Sequence, residues 1–181
     1  MQLNFIAYSG DCRLAGHVRL EHDRLSDLLN GDEDYLIREV VMESLADGHR
    51  VTLPELALRR EELCAVEGLG PRGNRGRRIG TRLHRMQLQV GPYMVAGHLH
   101  ALPGVDPLAC VVRRGPFLAL TDVTLAYGFA GESQLRDAAV ILVNRELVAW
   151  IRPVASEALA FPKVPVKLDP YAKDLTAELY S

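Results

Sequence analysis

The sequence predicts a mainly β protein made of two duplicated small barrels, each about five strands with one short helical turn, followed by a C-terminal arm. Three observations carry this expectation. LAGHVRL, from Leu14 to Leu20, returns as VAGHLHA from Val95 to Ala101. Further residues repeat behind that echo in the same order: Gly16 with Gly97, Tyr35 with Phe117, Leu36 with Leu118, Val41 with Val123 and Leu58 with Leu142. Glu62, Leu63 and Ala65 likewise match Glu146, Leu147 and Ala149, and even MQL at Met1 recurs at Met86. Finally, most apolar stretches are short and alternating or β-rich, the signature of strands.

Each element follows from local pattern. In LAGHVRL the residues Leu14, Gly16, Val18 and Leu20 alternate with Ala15, His17 and Arg19, so a strand turns His17 away from its apolar face. Gly16 and Gly97 are expected at equivalent bends where a side chain would crowd the neighbouring strand. DRLSDLLNG places Leu25, Leu28 and Leu29 on one helical face, capped by Ser26 and stopped by Asn30 and Gly31. FLALTDVTLAY at Phe117 and its counterpart YLIREVVMESL at Tyr35 are strand-length, although the latter also reads as a helical turn. AVILVNRELVAWI, from Ala139 to Ile151, has two β-rich runs around Asn144 and Arg145, which predicts a hairpin. So short a set of strands closes most economically as a small barrel, which removes its edges.

The connector between the halves, GLGPRGNRGRRIG, is glycine-rich and marks a linker. The expected organisation is residues 1–67 as the first barrel, 68–85 as a Gly/Arg linker, 86–155 as the second barrel and 156–181 as a proline-punctuated arm. In that arm Tyr171, Leu175 and Leu179 form one side of a short amphipathic helix, a docking surface for a barrel or a second chain.

Composition bounds the function class. Hydrophobic residues make up 48% of the chain without any long uncharged apolar run, so no membrane partner is expected. The N-terminus lacks the basic flank and apolar centre of a signal peptide, which implies a cytoplasmic protein. Net charge is −2 but uneven: Gly68 to Arg85 holds Arg72, Arg75, Arg77, Arg78, Arg82 and Arg85 and no acid, whereas residues 1–67 are strongly acidic. The connector arginines could contact phosphates or lie against the acidic first half. Cys12, Cys64 and Cys110 form no C-x-x-C pair and read as free, packed thiols.

Two short stretches resemble the Sm-like family of small barrels, and more loosely uncharacterised bacterial tandem-barrel proteins. Asp27-Leu28-Leu29-Asn30 is similar to the Asp-x-x-Asn that ends the family's first motif, and VILVNRELVAWI at Val140 is similar to the second. The resemblance implies the fold, and it implies a nucleotide pocket lined by Asn30 in the first copy and Arg145 in the second. The second copy departs by carrying Val112 where Asn30 aligns, and Glu146 stands where the family has glycine.

No catalytic, cofactor or metal site is expected. His17, His98 and His100 could supply imidazoles, but the first copy has Arg19 where His100 aligns, and surface histidines are the simpler reading. Ser26, Asp27 and His22 are sequence neighbours without the geometry of a triad. The leading function is therefore non-enzymatic binding or assembly, with a homo-oligomer, favoured as a dimer, as partner. RNA or single-stranded nucleic-acid binding through Arg72, Arg75, Arg77, Arg78, Asn30 and Arg145 is the alternative, and an enzyme with a site between the barrels is the third.

Overall fold

The computed structural model describes residues 1–21, 23–70 and 80–155. Its first half runs β1 (Gln2–Tyr8), β2 (Cys12–Arg19), α1 (Leu25–Gly31), β3 (Asp34–Ser44), β4 (Arg50–Arg59) and β5 (Ala65–Glu67). The second runs β6 (Arg82–Val90), β7 (Tyr93–Ala101), α2 (Pro107–Arg113), β8 (Phe117–Phe129), β9 (Glu132–Asn144) and β10 (Val148–Pro153). One 3-10 turn, Arg60–Glu62, joins β4 to β5, and another, Arg145–Leu147, joins β9 to β10.

The ten strands among the described residues form one antiparallel sheet in the order β10-β6-β7-β8-β9-β5-β1-β2-β3-β4. Within each half the order is the same, fifth strand, then first, second, third and fourth, and the halves meet where β9 pairs with β5. The protein is thus mainly β, but the expectation of two closed barrels needs correction. Closing the first half would pair β5 with β4, and closing the second would pair β9 with β10. Instead β5 and β9 take each other, and β4 and β10 remain as the outer edges of an open sheet.

The same choice corrects the expected hairpin at Asn144. β9 lies between β8 and β5, while β10 crosses to β6, because the Arg145–Leu147 turn redirects the chain rather than folding it back. YLIREVVMESL is wholly strand. Arg82 and Arg85 belong to β6, so the second half begins before residue 86.

Pairing also fixes which positions correspond. His17 pairs with Arg38 as His98 pairs with Thr121, so Tyr35 corresponds to Leu118 rather than Phe117, and Val40 rather than Val41 corresponds to Val123. Val40 and Val123 are both buried. Arg38 pairs with Glu55 as Thr121 pairs with Val140, which sets Leu58 against Val143 rather than Leu142. The MQL echo is out of register: Met86 takes the place of Phe5, since these pair with Gly97 and Gly16.

Both halves bend at the same place. Gly16 of β2 and Gly97 of β7 each face two residues of the next strand, Glu39 with Val40 in β3 and Asp122 with Val123 in β8, and in these bulges Glu39 and Asp122 adopt φ of 52° and 49°. A Cβ on Gly16 would lie 2.8 Å from the Arg38 carbonyl, and one on Gly97 would lie 2.8 Å from Val123 Cγ2. Strands approach too closely there for any side chain.

Two hydrophobic clusters fill the interior, and each borrows from the other half. The first-half cluster of Phe5, Leu14, Leu29, Tyr35 and Ile37 takes in Phe117 and Leu142. The second-half cluster of Met86, Leu88, Val95 and Leu99 takes in Tyr8, Leu45, Cys64 and Ala65. Apolar burial at about 25 cal/mol per Å2 therefore couples the halves instead of stabilising two separate domains.

The α1 helix buries Leu25, Leu28 and Leu29 as its spacing predicts, but Ser26 is not its cap: Arg24 occupies the N-cap without a side-chain bond, and Ser26 Oγ donates to Asp27. The α2 helix has the clearer signal, Asp106 accepting from the Leu108 N–H ahead of Pro107 in the first turn.

Candidate functional site

Three regions gather polar groups: the junction between the halves, the paired bends, and a groove beside the connector. The junction begins with β5, whose three residues are wholly buried between β1 and β9. Glu67 is only 6% exposed, and a buried carboxylate is tolerable only when partnered. Its Oε1 accepts from Tyr8 Oη at 2.7 Å and from Arg136 Nε at 2.5 Å. The Arg136 guanidinium, hydrogen-bonded to that carboxylate, is held above its ordinary pKa. Burial, followed by the adjoining Glu67 carboxylate, pushes Tyr8 well above the usual tyrosine range.

Tyr8, Tyr93 and Tyr127 pack around this network with ring centroids 5.4 to 5.9 Å apart, within the range of favourable edge contacts. The Tyr93 hydroxyl donates to the Ser9 carbonyl at 2.6 Å, a bond between halves, and burial raises its pKa strongly. Cys64 lies in the same cluster, and burial pushes its thiol up to about 11. Cys12 is half-buried and also raised by burial, and Cys12, Cys64 and Cys110 are all free. Tyr8, Tyr93, Tyr127 and Cys64 are tightly packed, which suits cohesion between the halves.

The two residues that the Sm-like resemblance nominates come together, on either side of the Gly115–Phe117 segment. Asn30 Oδ1 accepts from the Phe117 N–H at 2.8 Å, and its Nδ2 donates to the Ser26 carbonyl at 2.8 Å. Arg145 donates from Nε to the Gly115 carbonyl at 3.1 Å and from Nη1 to Val112 at 3.2 Å, so it caps the end of α2. Their polar atoms serve the chain itself. A residue that sequence reasoning missed completes the region: Asn144, fully buried, donates to the Arg60 carbonyl at 3.0 Å and accepts from the Glu146 N–H. Its position beside a 3-10 turn is the available signal, since asparagine readily closes such turns.

The histidines do not converge. His17 Nε2 stands 3.3 Å from Glu39, His98 Nδ1 stands 3.7 Å from Asp122, and His100 lies between the hydroxyls of Thr81 and Thr121 at 3.1 and 2.9 Å. Among the described residues no group of three or more metal-ligating side chains comes together. The first two pairs occupy the two bends, so a carboxylate faces a histidine in each half.

The groove, of about 590 Å3, is lined by both ends of the connector, Gly68 to Gly70 and Thr81, together with Arg24, Ser26 and His100. Connector residues Arg72, Arg75, Arg77 and Arg78 lie outside the described residues, as do Tyr171, Leu175, Leu179 and His22. No described helix is long and apolar enough to cross a membrane. Comparison with family models, with curated proteins and with solved structures yields no match.

Proposed function

We propose that this chain is a non-enzymatic binding and assembly protein whose two halves are copies of one Sm-like unit, acting by strand addition at its sheet edges. The observation that carries this reading is the open sheet: among the described residues β4 and β10 each present one unpaired side. An exposed edge is a row of free N–H and C=O groups, a ready template for another strand. The shared strand order of the halves and their matching bends support the copy relation. Light scattering across a wide concentration range tests assembly. Growth of mass with concentration is expected, and a monomer throughout overturns the reading.

A second reading has one observation of its own, the groove between the two ends of the arginine-rich connector. The connector between those ends carries Arg72, Arg75, Arg77 and Arg78 in sequence, charges that suit a phosphate backbone. Binding to single-stranded RNA would then weaken steeply with salt, and replacing Arg75, Arg77 and Arg78 with alanine would lower the salt slope by roughly one per lost contact. Salt-independent binding, or none, overturns it.

A further inference from the structure

We propose that β10 of one copy pairs antiparallel with β4 of a second copy, setting Trp150 opposite Leu58, Ile151 opposite Ala57 and Arg152 opposite Leu56. This rests on the assembly reading and specifies its partner and register. The argument starts inside the chain, where the fourth strand of one half already adds to the fifth strand of the other. There Ala65 faces Val143, Val66 faces Leu142 and Glu67 faces Ile141. The same two kinds of edge are left over at the ends of the sheet, a fourth strand in β4 and a fifth in β10. Repeating the internal step therefore brings the β10 of one chain to the β4 of another.

The register follows from positions already fixed. Tyr8 pairs with Ala65 as Gln89 pairs with Trp150, so Trp150, Ile151 and Arg152 stand where Ala65, Val66 and Glu67 stand. On the other side Leu56, Ala57 and Leu58 stand where Ile141, Leu142 and Val143 stand. A proline sets the same short length on β10. Gly68 donates its N–H to the Val140 carbonyl at the end of the internal join, but its counterpart Pro153 has no N–H to give. Among the described residues neither outer edge has a further strand partner.

The surface chemistry agrees. Ala65 is fully buried by its neighbours, whereas Trp150 in the corresponding place remains half-exposed, with Nε1 donating to Gln89 at 3.0 Å and Arg152 over its ring at 5.4 Å. Leu58 is already buried at the opposite edge. The join would extend the apolar interior from Leu58 across Trp150. Because a β10 edge meets a β4 edge, the contact is head-to-tail, and each added copy leaves one edge of each kind until the set closes into a ring.

The test uses full-length chains carrying one new cysteine each. Leu56 and Arg152 would form a directly opposite, non-hydrogen-bonded pair, the closest in an antiparallel ladder and suited to a disulfide. Mixing L56C chains with R152C chains under mild oxidation is expected to give a disulfide-linked pair on a non-reducing gel. E55C mixed with R152C is expected to give none, because a one-residue slip turns the side chain to the other face. If light scattering shows assembly but L56C and R152C do not link, this inference is overturned while the assembly reading stands. A monomer at all concentrations overturns both. Linkage within one chain of the L56C/R152C double variant, in place of linkage between chains, shows the edges closing on themselves and overturns the second copy as partner. Trp150, the single tryptophan, gives a readout without substitutions. Its emission is expected to shift to the blue as the unaltered chain associates, and association without that shift overturns the proposed join.

Discussion

The join between the halves and the two outer edges are built from corresponding strands, yet they differ in charge. At the join the buried Glu67 is held by Tyr8 and the half-buried Arg136, whereas the outer counterpart of Glu67 is the exposed Arg152, bonded to Gln87 at 2.9 Å. A buried carboxylate with its cation holds one register firmly, since any slip strands that charge away from water. An edge with solvated groups can open and close. The comparison therefore assigns permanence to one site and exchange to the other.

Removing one partner of the buried pair should have the largest effect. Arg136→Met leaves the Glu67 carboxylate with only the Tyr8 hydroxyl, and should lower stability by about 3 kcal/mol. Arg152→Met at the outer edge should stay within about 0.5 kcal/mol. Urea unfolding of the two variants measures both, and equal losses would erase the distinction between join and edge.

The tyrosine and cysteine cluster adds a pH signature to the join. Burial pushes the Cys64 thiol up to about 11 and moves Tyr8 and Tyr93 above the ordinary tyrosine value. A group whose folded pKa is raised contributes stability that is complete below the unfolded value and lost above it. Stability should thus be level up to about pH 9 and fall by about 2–3 kcal/mol towards pH 11 from Cys64 alone, with the tyrosines deepening the fall. Urea midpoints measured from pH 7 to 11 check this, and a flat profile would mean that the cluster is open to water.

The two bends offer a finer comparison. Gly16→Ala drives its Cβ against the Arg38 carbonyl, which is part of the backbone, while Gly97→Ala meets chiefly a Val123 methyl, with the Thr121 carbonyl at 3.2 Å. Overpacking of this kind costs about 1–3 kcal/mol, with Gly16 towards the upper end because a carbonyl yields less readily than a methyl group. Thermal melts of the two variants rank them, and the reverse order would locate the tighter approach in the second half.

What the sequence disclosed and what it concealed divide along physical lines. Alternation in LAGHVRL and the leucine spacing of α1 are local, and both appear as read. The correspondence of the halves was visible in AGH, where glycine is required, but slipped by one residue in LALRR and AVILVN, where adjacent apolar residues leave the face undetermined. Closure was illegible for another reason. Whether β5 takes β4 or β9 is a contest between strands far apart in the chain, and nothing local to Ala65–Glu67 records it. Asn30 and Arg145 were nominated by motif, but Glu67 and Arg136, which are 69 residues apart, meet only through that long-range choice.

The smallest expected effect bears most directly on the outer edge. At the join the Asn144 N–H donates to the Cys64 carbonyl at 2.9 Å, so the neighbouring strand satisfies it. The corresponding N–H at the outer edge belongs to Arg59, and there Glu62 reaches back with Oε2 at 2.6 Å, in the place where the carbonyl of an added strand would sit. Glu62 is itself exposed, so removing its carboxylate by Glu62→Ala should cost the folded chain only about 0.5–1 kcal/mol. Its effect on assembly should have the opposite sign. With the competing acceptor gone, an arriving β10 no longer has to displace it, and self-association should tighten by roughly three- to tenfold, the equivalent of about one hydrogen bond. The concentration dependence of Trp150 emission reads this directly, and weaker association in the variant would mean that Glu62 is part of the contact and not its competitor.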